Sequence, residues 1–449
     1  MLQQKARVNT DLATAVAEAE ARYVAANPQS AARFEQATAA MPGGNTRTVL
    51  HYSPFPLTLA GGEGAHVRDL DGHRYADFLG EYTAGLYGHS NPVIQAAIKQ
   101  AVDDGIALGG PNRYEAALAA ELCQRFPSLE RVRFCNSGTE ANLFAISAAR
   151  IATGRPAIMV FHGAYHGGVF YFGQQKSAIN APFPWVYGRY NDSEATAALI
   201  AQHAHELAAV VVEPMMGSAG AIPATREFLA ALRAACDKHG VILIFDEVMT
   251  SRLSPGGLQL RLGVTPDLTS FGKYLGGGAS FGAFGGRAAL MARFDPRRAD
   301  AVSHAGTFNN NVISMAAGLT GLTKLYTPET AERFNAGGDA LRERLNALAA
   351  RRGLLLQVTG AGTIMAVHFH KGPIRTPQDL WHEDPAAAAR AAELLKLFHL
   401  DMLEHGQYLA RRGFISLSLP MTERDHDGFA AAVDEFLSVR GPVITATVE

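Results

Sequence analysis

The sequence predicts an α/β protein, with a large domain on a mostly parallel sheet and a smaller α+β domain formed by both ends of the chain. Three observations predict this fold. The chain has 449 residues, which is too long for one simple core. From about residue 92, short runs that are apolar throughout alternate with segments of helical period. Residues 66–80 alternate between apolar and polar around a DG pair, which is typical of a β-hairpin.

The central segment supplies the predicted sheet and its helical layers. Strands that are apolar on both faces and separated by helices indicate a parallel sheet covered on both sides. The strand-like runs are 132–134, 157–161, 207–214 and 241–247. The helical segments beside them are 93–107, 115–126, 139–152, 195–206 and 226–239.

The two ends of the chain predict the smaller domain. One or two amphipathic helices over 11–40 stop at the turn MPGGN. Near the other end we expect, in order, helix 312–326, helix 330–350, strands 354–358 and 364–369, and helices 386–404 and 423–438. We therefore assign residues 1–67 to the N-terminal part of the small domain, 68–326 to the large domain and 327–449 to the C-terminal part of the small domain.

Composition and charge exclude several classes of protein. The chain is 48% apolar and 18% charged with a formal net charge of −2, so no basic excess exists for nucleic acid or an anionic membrane. No stretch approaches the roughly eighteen uninterrupted apolar residues of a membrane helix, and the N-terminus lacks a signal core. Three cysteines without a CxxC pair predict no metal site and a reduced, cytoplasmic setting. The pair His203 and His205 is expected on a solvated helix surface rather than at a metal.

Two charged residues stand where chemistry is expected. Lys273 lies among glycines in SFGKYLGGG, where few side chains would obstruct a ligand. Asp246 ends the apolar run VILIF, as a carboxylate does where a buried strand emerges. An amine that can form a Schiff base and a carboxylate that can hold a pyridinium nitrogen are the minimum equipment for pyridoxal phosphate. The alternatives are a surface lysine and a helix-capping Asp246, a role for which Glu247 competes.

Three further motifs fit the same cofactor. Ser137, Gly138 and Thr139 join a strand to a helix, where backbone N–H groups can hold a phosphate, although such residues also cap helices that bind nothing. Tyr165 lies in a glycine-rich turn from which its ring could stack on a planar cofactor, or it could cap the core beside a structural His166. Glu213 ends an apolar strand, where it could bond a loop or a ligand.

The order of the motifs NSGTEA, AYHG, VVEP, FDEVMT, SFGKYLGGG, FGAFGGR and GTF resembles that of class III aminotransferases, over roughly residues 40–440. These are fold-type I pyridoxal phosphate enzymes, which implies a sheet of the seven-stranded type. LIFDEVMTS and GAFGGR resemble the glutamate-1-semialdehyde aminomutase branch. The stretches 45–60, 81–90, 245–258, 303–312 and 411–422 most closely resemble β-phenylalanine (aromatic β-amino acid) aminotransferases. Aminomutases have a glycine–aromatic–arginine run after DEVMT and a GTLSGNP-type stretch, where this chain has SRL and GTFNNN.

The resemblance implies a role for each candidate site residue. Lys273 would be the Schiff-base lysine and proton shuttle, and Asp246 the partner of the pyridine nitrogen. The remaining residues that would contact the cofactor are Ser137, Gly138 and Thr139 at the phosphate, Val248 under the ring, Tyr165 over it, His166, Glu213, and Thr307 from the neighbouring subunit of a homodimer. Arg47 and Arg412 resemble the arginines that bind substrate carboxylates, with Arg411 as the alternative to Arg412.

The implied reaction is a two-half transamination. An aromatic β-amino acid such as β-phenylalanine donates its amine, and a keto acid such as 2-oxoglutarate or pyruvate accepts it, at active sites on the dimer interface. Candidates for an aromatic pocket, or else for ordinary core, are Phe55, Tyr82, Tyr87 and Met249. The competing functions are glutamate-1-semialdehyde 2,1-aminomutase and a non-enzymatic pyridoxal-binding regulator; the intact Lys273, Asp246 and Tyr165 weigh against the regulator.

Overall fold

The computed structural model describes residues 11–448, and its centre is a seven-stranded sheet. Six strands are parallel to one another, and Gly282–Gly286 runs antiparallel to both of its neighbours. The mostly parallel seven-stranded sheet is therefore confirmed. In spatial order the strands are Arg131–Cys135, Gly282–Gly286, Leu268–Gly272, Ile242–Asp246, Leu207–Val212, Ala157–Phe161 and Trp185–Gly188.

All four predicted runs are strands, but three further strands were not predicted from the sequence. Trp185–Gly188 is a short edge strand, and Leu268–Gly272 is broken by polar residues. Gly282–Gly286 reads as a loop because it is largely glycine. Its glycines let neighbouring backbones approach closely, since a Cβ on Gly286 would collide with the carbonyl oxygen of Asp267.

Helices cover both faces of the sheet, and most of them begin at side-chain caps. Ser137 and Thr225 accept hydrogen bonds from the N–H groups of Glu140 and Phe228, respectively. The predicted helix 93–107 is too long, because Gly105 with φ +110° turns the chain after Asp103. The α-helices of this part are Pro92–Asp103, Glu115–Arg125, Gly138–Thr153, Ser193–Gln202, Arg226–His239, Gly257–Leu262, Ala288–Met291 and Val312–Thr320, the last continued by a π-helical turn, Gly321–Leu325.

Two smaller sheets lie in the parts of the chain outside the large sheet, and one of them combines segments from both ends of the chain. The predicted hairpin is confirmed as part of a four-stranded sheet made of Leu59–Glu63, His66–Asp69, Arg74–Asp77 and Gln407–Tyr408. The other sheet is made of Gln357–Ala361, Ile364–His368 and Phe414–Ser416. The predicted strand 354–358 is placed too early, because the N–H groups of Leu354 and Leu356 bond to the preceding chain instead of to a strand.

The helices of the two ends pack into one apolar core. Tyr23 near the beginning and Phe436 near the end belong to the same cluster of buried side chains. A buried ion pair, Arg440 Nε to Asp401 Oδ2 at 2.8 Å, joins two of the helices. The helices are Leu12–Ala26, Pro28–Thr38, Pro328–Arg352, Pro385–Glu404 and Glu423–Val448. The domain boundaries at 67/68 and 326/327 stay predictions, and residues 1–10 lie outside the described residues.

Membrane-spanning helices are absent from residues 11–448, since none of the helices there is both long and apolar enough to cross a bilayer.

Buried neutral histidines predict acid sensitivity. Burial lowers the pKa of His399 to about 3 and that of His368 to about 4, below the unfolded value of about 6.5. Because the folded pKa is depressed, this stability is complete above about pH 6.5 and is lost as the pH falls toward the folded pKa. We expect His399 alone to lower the free energy of unfolding by roughly 2 kcal/mol between pH 8 and pH 5. Urea unfolding at both pH values measures this, and His399→Leu should show a smaller pH dependence; an equal dependence in both proteins contradicts the assignment.

Candidate active site

Five turns that follow parallel strands meet at one edge of the large sheet and enclose a cavity of about 300 Å³. Each turn leaves the carboxyl end of a strand, where ligands bind in open α/β sheets. The structure thus brings together nine of the predicted site residues, which are Ser137, Gly138, Thr139, Tyr165, His166, Glu213, Asp246, Val248 and Lys273.

Asp246 is held by hydrogen bonds from three different elements. Its Oδ2 accepts from Asn142 Nδ2 at 2.8 Å and lies 2.8 Å from His166 Nδ1, while its Oδ1 accepts from the N–H of Val248 at 3.0 Å. A carboxylate offers about four acceptor positions. Three are occupied, so one remains for a donor in the cavity. Glu247 next to it is fully buried and bonds the backbone of Leu258, which separates the roles of the two carboxylates.

Asn142 is a site residue that the sequence reasoning missed. Its amide donates to Asp246 and also to the carbonyl of His166 at 3.0 Å, and its oxygen accepts from Ser270 Oγ at 2.6 Å. It ties helix Gly138–Thr153 to two strand ends. The available signal was a polar residue on the core-facing side of an apolar helix, in register with the buried Ala145 and Ala149.

The N-terminus of helix Gly138–Thr153 forms one end of the cavity. Ser137 caps the helix, with its hydroxyl accepting from the N–H of Glu140 at 3.2 Å. The first N–H groups of such a helix are free to hold an anion. Gly138 packs against Val248, since a Cβ at this position would lie 2.8 Å from both Val248 methyl groups. The helix N-terminus, which can hold a phosphate, therefore packs directly against the apolar side chain of Val248.

Glu213 supports the turn that carries Tyr165. Its two carboxylate oxygens accept from the N–H groups of Tyr165 and Gly217, each at 3.0 Å. Burial raises the pKa of Glu213, and the neighbouring Asp246 acts in the same direction. The Tyr165 ring is 43% exposed and packs edge-on against Tyr171, so its face is available to a ligand in the cavity.

Lys273 directly follows strand Leu268–Gly272 and has a strained backbone conformation. Its φ of +58° lies in the left-handed region, which non-glycine residues adopt at functional sites when their surroundings fix them. Burial lowers the pKa of Lys273, and the positive charges of Arg47 and Arg412 act in the same direction, whereas Glu81 and Asp246 oppose them. The amine is thereby shifted toward its neutral, nucleophilic form.

Two arginines lie together beyond the cavity, on Tyr82. The guanidinium carbons of Arg47 and Arg412 are 5.5 Å and 5.4 Å from the centre of the Tyr82 ring. Arg47 forms an ion pair with Glu81, whereas Arg412 forms no ion pair with the described residues. Arg411 points elsewhere, toward Glu393 at 4.0 Å. Arg412 is thus the exposed cation of the adjacent pair that faces the site.

Of the other predicted residues, one lines the cavity and three lie outside it. Thr307 is exposed on a loop, and the nearby Asn309 is bonded to Asn136 at 3.0 Å. Among the pocket candidates Met249 lines the cavity. Phe55 and Tyr87 belong to separate buried clusters, so they are core residues.

The family profile described as aminotransferase class-III matches residues 50–399. The chain is a class III aminotransferase. It is 51% identical over 430 residues to the β-phenylalanine transaminase of Variovorax paradoxus, covering 96% of this chain and 97% of that one. The crystal structure of a β-phenylalanine aminotransferase from the same organism superimposes with a TM-score of 0.93, at 50% identity and covering 96% of this chain and 98% of the other. A glutamate-1-semialdehyde 2,1-aminomutase from Rhodopirellula baltica is 36% identical over 442 residues, covering 94% and 98%.

The cavity of this aminotransferase fits pyridoxal phosphate, the cofactor of its family. The buried Asp246 keeps one acceptor position free, and the Nε2 atom of the buried His166 has no partner among the described residues. A free helix N-terminus and a half-buried lysine of lowered pKa complete the set. An anion site, a carboxylate for a protonated ring nitrogen and an amine for an aldehyde are what this cofactor requires.

The Gly138–Val248 contact predicts the effect of one added methyl group. Gly138→Ala would push Val248 or the helix N-terminus out of place, so we expect affinity for pyridoxal phosphate to fall by about tenfold or more. Titration of the cofactor-free protein, followed by absorbance, measures it. Gly168→Ala is the matched control, because its Cβ would meet nothing within 4 Å. Equal affinities in the two variants would contradict the proposed packing.

Proposed function

We propose that this aminotransferase moves the amino group of an aromatic β-amino acid, such as β-phenylalanine, to a keto acid such as 2-oxoglutarate or pyruvate. The observation that carries the proposal is the unpaired Arg412 on Tyr82, close enough to Lys273 to lower its pKa. A substrate carboxylate at Arg412 would leave the substrate amine free to reach the cavity. The similarity to β-phenylalanine transaminases supports the choice of substrate.

The proposed residue roles follow from the geometry. Pyridoxal phosphate, when bound, supplies an electron sink for the bond broken at the amine-bearing carbon. Asp246, held by Asn142, would keep the ring nitrogen protonated. Lys273 Nζ, whose pKa is lowered, would take the proton from the amine-bearing carbon of the donor and deliver it to the cofactor carbon on the other side of the transferred nitrogen. Val248 and Tyr165 would hold the ring between them.

The remaining cofactor contacts belong to the same proposal. Ser137, Gly138 and Thr139 would bind the phosphate through the helix N-terminus, with Thr307 of a second copy completing it. His166 would act through Asp246, and Glu213 would act through the turn that carries Tyr165, since each is hydrogen-bonded to that partner.

An exposed apolar surface around the Thr307 loop supports the proposal of a homodimer. Phe308 is 69% exposed and Ile106 is 59% exposed. Exposed apolar side chains that lie together are typical of an interaction surface. The two loops that carry them are joined by a hydrogen bond from Asn112 Nδ2 to the carbonyl of Asn310 at 2.7 Å. A second copy would cover this surface and bring its own Thr307 to the cavity.

A cytoplasmic location is proposed from the cysteines. All three are free, and burial raises the pKa of Cys135 and Cys236 to about 12, which makes them unreactive thiols suited to a reducing compartment.

The first experiment mixes the purified yellow protein with racemic β-phenylalanine and no acceptor. We expect the visible band to disappear and to return on addition of 2-oxoglutarate or pyruvate. Lys273→Ala should lose both the band and turnover, whereas the exposed Lys324→Ala should keep both. An unchanged band in the wild type would exclude this donor. Glutamate-1-semialdehyde isomerised without any keto acid would instead establish the aminomutase, the alternative that the Rhodopirellula relative supports.

Arg412 and Arg411 provide a matched pair of variants. Arg412→Ala should raise the KM of carboxylate substrates by roughly 10- to 100-fold, because a charge-assisted hydrogen bond is lost. Arg411→Ala removes only a partly exposed ion pair with Glu393 and should stay within about twofold. Steady-state kinetics with 2-oxoglutarate and β-phenylalanine separates the two; the reverse ranking would assign the role to Arg411.

The dimer is tested at Phe308. Phe308→Asp places a charge on the proposed interface and should convert the dimer to monomer in sedimentation velocity, with weaker cofactor binding because Thr307 is withdrawn. Leu260→Asp, which changes another half-exposed apolar side chain, should sediment like the wild type. A dimer that persists in Phe308→Asp would refute this interface.

A further inference from the structure

Arg252 is a buried cation outside the cofactor cavity, with no part in the chemistry described above. Its side chain is fully buried, and it forms no ion pair within residues 11–448. Its Nε atom also has no hydrogen-bond partner there. Burial of a guanidinium without a carboxylate partner lowers the stability of the fold. We therefore expect the hydrogen bonds made by its other N–H groups to have a specific use.

The guanidinium joins two segments that are far apart in the sequence. One terminal nitrogen donates to the carbonyl of Thr83 at 3.3 Å and to Ser416 Oγ at 3.1 Å. The other donates to the carbonyl of Leu417. A planar fork with fixed donor directions is suited to holding two acceptors at once, which an ammonium is not.

The first of these segments is a strained turn. Gly80, Glu81, Tyr82 and Thr83 have φ of +52°, +46°, +50° and +81°, so three consecutive non-glycine residues lie at positive φ. Such a run persists only where its surroundings fix it. Asp77 Oδ1 holds the start of the turn by accepting from the N–H groups of Leu79 and Gly80, and Arg252 holds its end.

Both segments carry the groups assigned above to the substrate carboxylate. The turn presents Glu81 to Arg47 and the Tyr82 ring to both arginines. The second segment, 414–417, is separated from Arg412 only by Gly413, and its Phe414 stacks on Tyr82 with ring centres 5.7 Å apart. The distance between the turn and the strand therefore sets the position of Arg412 over Tyr82.

We propose that Arg252 is a positioning residue for recognition of the substrate carboxylate. Its fork fixes the Thr83 carbonyl relative to the Leu417 carbonyl and so fixes Tyr82 and Arg412 relative to each other. This inference rests on the proposed role of Arg412. It adds a residue that touches neither substrate nor cofactor and yet governs the affinity for carboxylates.

The backbone at Arg252 is secured independently of its side chain, which makes substitution informative. The Arg252 carbonyl accepts from the Tyr326 hydroxyl and from Asn335 Nδ2, the latter at 2.8 Å. Arg252→Lys keeps the charge and most of the volume but loses the fork. Arg261→Lys is the matched control, since Arg261 lies on the next helix, Gly257–Leu262, and forms a partly exposed ion pair with Asp339 of helix Pro328–Arg352.

The test measures structure and kinetics on the holoenzyme. In Arg252→Lys, backbone hydrogen exchange should rise in residues 80–83 and 414–417 together, and remain unchanged in strands Ile242–Asp246 and Leu268–Gly272. The KM for β-phenylalanine and for the keto acid should rise about tenfold, with kcat and cofactor affinity within about twofold of the wild type. Arg261→Lys should match the wild type in all of these.

Two outcomes would overturn the proposal. One is unchanged exchange in both segments of Arg252→Lys. The other is a loss of cofactor affinity equal to the rise in KM, which would make Arg252 a general structural residue. If the wild type fails to use β-phenylalanine, the proposed substrate falls, while the exchange data still decide whether Arg252 ties the turn to the strand.

Discussion

Burial of the Asp246 carboxylate is the constraint on which the site depends. Burial of an unpaired carboxylate costs free energy. Asp246 is instead hydrogen-bonded to groups from a helix, a turn and the loop that follows its own strand. The helix donor Asn142 and the turn residue His166 are also bonded to each other through a backbone carbonyl. These hydrogen bonds fix the positions of three elements around one carboxylate, and this arrangement determines the shape of the cavity.

A second group of charges lies around Tyr82. Arg47 forms an ion pair with Glu81, whereas Arg412 forms no ion pair within residues 11–448, and both lie over one tyrosine ring. Both arginines also act on Lys273 across the cavity. The two arginines proposed to bind the substrate carboxylate therefore also favour a neutral amine at Lys273, so the proposed binding and proton-transfer groups share one electrostatic environment.

The sequence predicted what depends on local pattern and on motifs. Apolar runs located the central strands, and the glycine and carboxylate motifs led to nine cavity residues. Strand Gly282–Gly286 escaped prediction because its stability comes from close backbone contacts and not from its side chains. Asn142 and Arg252 were not predicted because their hydrogen bonds join segments that are distant in the sequence, which only the tertiary structure reveals. Arg411 and Arg412 were indistinguishable until their partners were known.

The shared core of the two chain ends has a consequence for synthesis. Tyr23 and Phe436 occupy the same cluster although 413 positions (436 − 23) separate them. During translation the first helices therefore emerge long before the helices they pack against, with apolar faces that have no native partner. The large sheet, whose strands all lie between residues 131 and 286, can form before the C-terminal helices have been synthesised. A chaperone that shields the emerging N-terminal helices would act during that interval.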